Sequence, residues 1–468
     1  PRIISVILVR VHTDKSVINE VADFGTLSLI FSYIILFNVI LSYGLETSFF
    51  RFYNSEKNKK DVLNTAAISI IITSFLFISI FSIFKLNISE FTGIGVDYLR
   101  IVIWILVIDA LTVIPFAYLR VKGKAFNYSV IKIINVLIYF SLNIFLLIFL
   151  QDLSGKNQFF NNIYYEDFQV AYIFIANLAA SLVSLLLLIP FYFNINYKAN
   201  FELLKKMLFY GFPILISGLA FTINETFDKI LLDFLLPASV AKTEIGMYAA
   251  CYKLAIFMTL FSTAYKLAIE PFFFSEVDKK NSKKNYALVL ETFVIIGSSI
   301  LVLVVVSLDI LKQIFIGDPE YWKAMYIVPI ILFANFCLGI YQNLSVWYKV
   351  TDMTRFAAYI SVIGATLTLL INIILIPKYS FLGSAIATLV AYFTMALLSY
   401  AIGKKYYPIP YNTRKILFYF MTSVSLSSIS FYVYRGNLLI GILCVLIMNL
   451  VILLNEKKRI INLLKLIR

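Results

Sequence analysis

Apolar residues run along this chain in blocks of roughly 20–28, each closed by a short polar or charged stretch. A helix needs about 20 such residues to cross the hydrocarbon of a bilayer, whereas a barrel strand needs about 10. Backbone polar groups in hydrocarbon must be satisfied within the structure itself, so blocks of this length predict helices. The pattern predicts an all-α polytopic membrane protein of about fourteen helices, at 1–12, 25–50, 62–84, 98–119, 126–150, 168–193, 208–236, 246–274, 286–308, 323–348, 356–376, 382–402, 415–434 and 437–454. The first apolar run, Ile3 to Val11, is too short to span. It predicts a first helix that starts upstream of Pro1.

Composition agrees with the pattern. The 468 residues are 61% hydrophobic and 14% charged, with a mean hydropathy of +0.89, against about 45–50% and about 25% in soluble domains. The excess is spread over the whole length, which excludes a hidden soluble domain. A net charge of +14 would suggest nucleic acid in a soluble chain, but here it sorts by loop. Arg51–Asp61, Arg120–Lys124, Lys198–Lys206, Glu276–Lys284, Lys349–Arg355, Lys404–Lys415 and Glu456–Arg468 together carry +18. The alternate connections carry −3. Lysine and arginine collect on the cytoplasmic side, so the alternation predicts cytoplasmic termini at both ends and no nucleic-acid partner. Cys251, Cys337 and Cys444 lie inside apolar runs and read as small core residues, not as disulfides or metal ligands. No cleavable signal and no cofactor motif is visible, and the loops are too short for an extramembrane catalytic domain. A membrane glycan polymerase or ligase would need convergent acid/base groups on a large outer loop. The longest such loop, 151–167, holds acids but no His or Arg.

The chain also repeats itself. Tyr43-Gly-Leu-Glu46 with Phe49-Phe50 matches Leu267-Ala-Ile-Glu270 with Phe272-Phe273, and the helix ending near Asn143 matches the one ending near Asn372. The offsets, 224 and 229 residues, map helices one to six onto seven to twelve. An even number of helices per repeat keeps both halves in one orientation. The predicted organisation is an N-terminal lobe over 1–195, a C-terminal lobe over 196–403, and two further helices with a basic tail over 404–468. Two such bundles are expected to leave a central cleft.

Ionisable groups at membrane depth cost about 2.5–3.5 kcal/mol on insertion scales and usually face protein or water. Spacing puts Glu225 with Lys229, and Lys266 with Glu270, as i,i+4 pairs. Asp228, Asp109 and Lys253 have no partner on their own helix, so each is expected to need a cross-helix partner or water and is a better cleft candidate; Arg10 is similar. Lys132 and Glu291 lie near enough to the surface to snorkel. His12, the single histidine, reads as an interfacial residue. Basic groups in a cleft suit an anion such as the diphosphate of a polyprenyl-linked sugar, and desolvated acids suit coupling to H+ or Na+.

Several stretches resemble the bacterial polysaccharide transporter family, the O-antigen and capsule repeat-unit flippases of the multidrug/oligosaccharidyl-lipid/polysaccharide exporter superfamily. They are Tyr43-Gly-Leu-Glu-Thr-Ser-Phe-Phe-Arg-Phe52, Gly211-Phe-Pro-Ile-Leu-Ile-Ser-Gly-Leu-Ala220, Asn224-Glu225 with Asp228-Lys229, and Gly246 to Met258 running on to Glu270. The resemblance implies two lobes, alternating access, undecaprenyl-diphosphate-linked glycan as cargo, cation-coupled antiport, and an inner-membrane location beside glycan polymerase and chain-length machinery. Placed on these residues, it implies substrate binding by Arg10, Lys253 and Lys266, cation coupling by Glu225, Asp228 and Asp109, and gating by Glu46, Glu270 and Lys229. Arg10 stands where the family's first helix is expected to be apolar or Pro. A peptidoglycan-precursor flippase and a drug/cation antiporter of the same superfamily are the related alternatives, and basic cleft residues argue against cationic drugs.

Overall fold

The computed structural model describes residues 2–275, 281–351 and 353–467. Part of the basic loop Glu276–Lys284, residue Asp352 of Lys349–Arg355, and the last residue of Glu456–Arg468 lie outside the described residues. Helices dominate, and no strand occurs among the described residues. The chain divides into two compact units, after Asp233.

The first unit holds α1 (Arg2–His12), α2 (Val21–Ser42), α3 (Leu45–Ser55), α4 (Lys59–Ile83), α5 (Lys85–Thr92), α6 (Val96–Val121), α7 (Ala125–Ile144), α8 (Leu150–Ser154), α9 (Gln158–Asn161), α10 (Gln169–Phe193) and most of α11 (Phe201–Leu235). The second holds α12 (Ala238–Leu254), α13 (Ile256–Ser275), α14 (Ser282–Val306), α15 (Leu308–Phe315), α16 (Val328–Leu344), α17 (Val346–Val350), α18 (Arg355–Tyr379), α19 (Phe381–Tyr406), α20 (Thr413–Ser428) and α21 (Leu438–Ile467). Among the described residues, twelve helices are long and apolar enough to cross a membrane, or thirteen when α12 and α13 count as one bent span. With the eleven-residue α1, these account for the fourteen segments the hydropathy predicts.

Large apolar side chains face outward on both units: Phe75, Phe126 and Leu439 are each more than 70% exposed. That inverted surface is what a lipid solvent favours. Polar and small side chains turn inward instead. Ser32, Ser181, Ser298, Ser384, Thr368 and Asn372 are all buried, where neighbouring helices and backbone carbonyls satisfy them.

Two expected spans are interrupted. The second breaks at Tyr43 and Gly44, both left-handed at φ 30° and 71°. The kink brings α3 against α11. A Cβ on Gly44 would stand 2.3 Å from the Gly211 carbonyl oxygen, and one on Gly211 would stand 2.9 Å from Ser48 Oγ. Ser48 Oγ donates to the Met207 carbonyl at 2.8 Å, turning this glycine contact into a polar seam. The seam explains why α11, expected to open the second lobe, groups by contact with the first unit. The expected eighth helix bends by 45° between Leu254 and Ile256, separating Lys253 from Lys266.

Candidate functional site

In the first unit, Asp109 lies half-buried on the middle of α6. Its Oδ1 accepts from Ser181 Oγ on α10 at 2.7 Å, and its Oδ2 accepts from Asn38 Nδ2 on α2 at 3.4 Å. These are the cross-helix partners a lone acid at this depth needs. Lys132 of α7, expected to snorkel, is exposed, stands 4.1 Å from the Phe116 ring centroid and attracts Asp109 electrostatically. A carboxylate held by one hydroxyl and one amide keeps acceptor capacity for a proton or a small cation.

Asp228 and Lys229 also differ from the spacing argument. Asp228 is buried, and its Oδ1 accepts from the Lys229 backbone N–H at 2.8 Å and from Lys229 Nζ at 3.4 Å. Asp228 therefore does have an ion-pair partner on its own helix, the adjacent residue. Glu225 is half-buried on the same helix. Arg10 is exposed in the last turn of α1, and its charge acts on Asp14. Asp14 lies outside the spans; hydrogen bonds from the Ser16 hydroxyl and N–H hold its carboxyl below the usual range.

His12, read as an interfacial residue, is the last residue of α1. It is buried, and its Nε2 lies 3.0 Å from Oδ1 of the fully buried Asn143. Asn143 Nδ2 donates to the Tyr139 carbonyl at 2.7 Å, which fixes the amide's orientation. Oδ1 must then accept, so His12 carries its proton on Nε2. Asn372, the repeat counterpart, is built alike. It is fully buried, its Nδ2 donates to Thr368 O at 2.7 Å, and its Oδ1 accepts from Ser384 Oγ at 2.8 Å. Each asparagine bonds back one turn and uses its remaining oxygen to hold another helix.

In the second unit, Lys253 is exposed in the last turn of α12, just before the bend. Lys266 is exposed on α13. Glu270 pairs with Lys349 of α17 at 3.0 Å rather than with Lys266, which contributes only longer-range attraction. Glu291, expected to snorkel, is held by Lys415 at 3.3 Å, and Lys415 also bonds buried Glu456 at 2.8 Å.

The Glu270–Lys349 pair has a counterpart. In the first unit Glu46 forms an ion pair with Arg120 at the end of α6. Arg120 also lies 4.8 Å from the Phe50 ring centroid. Arg120 and Lys349 are 229 residues apart, the same spacing as Asn143 and Asn372. Both begin basic loops, so each unit clips a Glu to a cation where a span meets a basic loop. The sequence reading picked out the two acids and missed their partners; the shared offset was the signal that could have found them. Among the described residues no group of three or more His, Cys, Asp or Glu side chains could hold a metal ion.

A chain of a dozen apolar spans in two compact units, with paired charges at span ends, has the build of a multi-pass membrane protein. The chain belongs to the polysaccharide biosynthesis protein family, whose sequence pattern matches residues 17–275. Its fold is similar to that of the lipid II flippase MurJ in an inward closed conformation (TM-score 0.74, 17% identity, 98% of this chain and 97% of that one). It is also similar to an inward-facing multidrug resistance MATE family transporter of the MOP superfamily (TM-score 0.65, 13% identity, 86% and 92%). A third is a MOP superfamily transporter from Pyrococcus furiosus (TM-score 0.56, 13% identity, 82% and 87%). At these identities the likeness is one of fold. No curated protein sequence matches the chain.

Proposed function

We propose that this protein flips an undecaprenyl-diphosphate-linked oligosaccharide, an O-antigen, capsule or exopolysaccharide repeat unit, from the cytoplasmic to the periplasmic leaflet of a bacterial inner membrane. It acts as a transporter by alternating access, with both termini cytoplasmic, and not as an enzyme. The observation that carries this reading is membership of a polysaccharide biosynthesis family joined to a transporter fold over nearly the whole chain.

Arg10, Lys253 and Lys266 are exposed within their own units, and we assign them to the diphosphate or to acidic sugars through charge-assisted hydrogen bonds. Asp109, Asp228 and Glu225 take up the coupling H+ or Na+. A carboxylate in low dielectric changes its charge state readily when a neighbour moves, which is the property coupling requires. Glu46 and Glu270 act at the cytoplasmic gate, clipped by Arg120 and Lys349, and Lys229 modulates Asp228. A glycan polymerase and chain-length machinery are the expected downstream partners.

A second reading is favoured by one observation. The fold likeness to a protein described as a lipid II flippase spans 98% of this chain, so the cargo could be a peptidoglycan precursor. Deleting the gene separates the two: a viable cell that lacks a surface polymer supports the first, and lysis supports the second. For the site assignment, Lys253→Ala and Asp228→Ala proteins that insert normally should translocate substrate at a small fraction of the wild-type rate. Full rates in both would overturn it.

A further inference from the structure

A cleft of about 650 Å³ opens in the second unit where α14 begins, α19 ends and the connection to α20 passes. All three are ends of candidate spans, so the cleft lies at headgroup depth on the face that carries basic loops. Its walls include Lys283, Lys284 and Lys404 with the rings of Tyr400 and Tyr411. Lys283 Nζ stands 4.4 Å from the Tyr407 ring centroid, an arrangement that positions the ammonium without neutralising it. Among the described residues no carboxylate lies within ion-pair distance of any of the three lysines. The acids of α14 and α21, Glu291 and Glu456, are both bonded to Lys415.

The start of α14 points the same way. The helix opens at Ser282, and the side chain of its N-cap residue, Asn281, makes no capping bond, so the positive end of a 25-residue helix adds to the potential felt by an anion there. Three lysines that meet no carboxylate among the described residues, and a helix start without a side-chain cap, form a surplus of positive potential around one opening.

We propose that this cleft binds a phosphate-bearing anion, at a site separate from the residues assigned to cargo and independent of the transport reading. The phosphate could arrive as the phosphodiester of an anionic membrane lipid or as a soluble anion. Apolar Pro408, Ile409 and Pro410 in the same wall suit the first methylenes of a lipid's acyl chains.

The test uses the purified full chain in neutral detergent. Retained lipid is counted by native mass spectrometry after exposure to phosphatidylglycerol or phosphatidylcholine, and melting is followed with added inorganic phosphate. Each lysine near a membrane surface contributes about fivefold in binding. The K283Q/K284Q/K404Q protein should therefore lose more than about tenfold of the wild-type phosphatidylglycerol affinity, and K404Q alone about fivefold. Preference for phosphatidylglycerol without stabilisation by phosphate identifies a lipid site, and stabilisation by phosphate identifies a soluble ligand. A K57Q/K59Q/K60Q protein, with the same charge removed from the first unit, should bind as the wild type does. The proposal fails if neither phosphate source binds, if the cleft variants bind normally, or if the control loses as much as they do.

Discussion

Exchange the charges of Glu270 and Lys349. The two side chains meet at 3.0 Å and are 36% and 30% exposed, so solvent screens them and the pair is worth about 1 kcal/mol at most. Glu270→Lys replaces that attraction with repulsion and adds a cation near Lys266, a swing of about 2 kcal/mol or about thirtyfold in any equilibrium the pair controls. Lys349→Glu sets two carboxylates together, with a similar cost. In the double variant the pair is remade in reverse, so it should recover at least about 1 kcal/mol relative to the sum of the singles. The assay is the initial rate of glycan-lipid translocation in vesicles, read as a double-mutant cycle. The same cycle on Glu46 and Arg120, which are 42% and 39% exposed, should give coupling of the same sign and of similar or smaller size. Additivity within about 0.3 kcal/mol in both cycles, or a double variant worse than either single, would refute the idea that these clips govern a transport step.

Three other outcomes follow from the geometry. Asp109→Asn keeps the shape but removes the charge that Ser181 and Asn38 hold; coupling should collapse while melting changes little, as measured by translocation with and without an imposed proton or sodium gradient. Gly44→Ala places a Cβ 2.3 Å from the Gly211 carbonyl at a left-handed φ, and overpacking plus strain should cost about 2–4 kcal/mol, seen as a lower melting temperature that Gly211→Ala partly reproduces. His12→Ala strips Asn143 Oδ1 of its donor inside the core, which should cost about 1–3 kcal/mol, and His12→Gln, which can donate to the same oxygen, should recover part of it.

The spans were legible because hydropathy is a local property: each long apolar block became helical near its expected limits, two of them broken within. The repeat was legible at Glu46 and Glu270 and at Asn143 and Asn372, where a polar residue recurs in an apolar setting. Pairing was not. Arg120 and Lys349 come from helices distant in sequence, and no spacing rule along one helix reaches them. Nor did spacing foresee Asp228 with Lys229. Adjacent helical residues point apart, yet a long lysine side chain can curl back to a buried carboxylate that has little water around it. The break at Gly44 carried a glycine as its mark, whereas Leu254-Ala255-Ile256 holds neither Gly nor Pro and gave no sign of the 45° bend. The place of α11 depended on the Gly44–Gly211 contact, which exists only once the chain has folded.

The most direct measurement reconstitutes the purified chain in sealed vesicles that carry a polyprenyl-diphosphate-linked oligosaccharide in one leaflet, and follows the glycan's arrival in the other. The account expects protein-dependent, saturable transfer that an imposed H+ or Na+ gradient accelerates and that Asp109→Asn uncouples. Transfer no faster than in protein-free vesicles, for both a surface-polymer repeat unit and a peptidoglycan precursor, would contradict it.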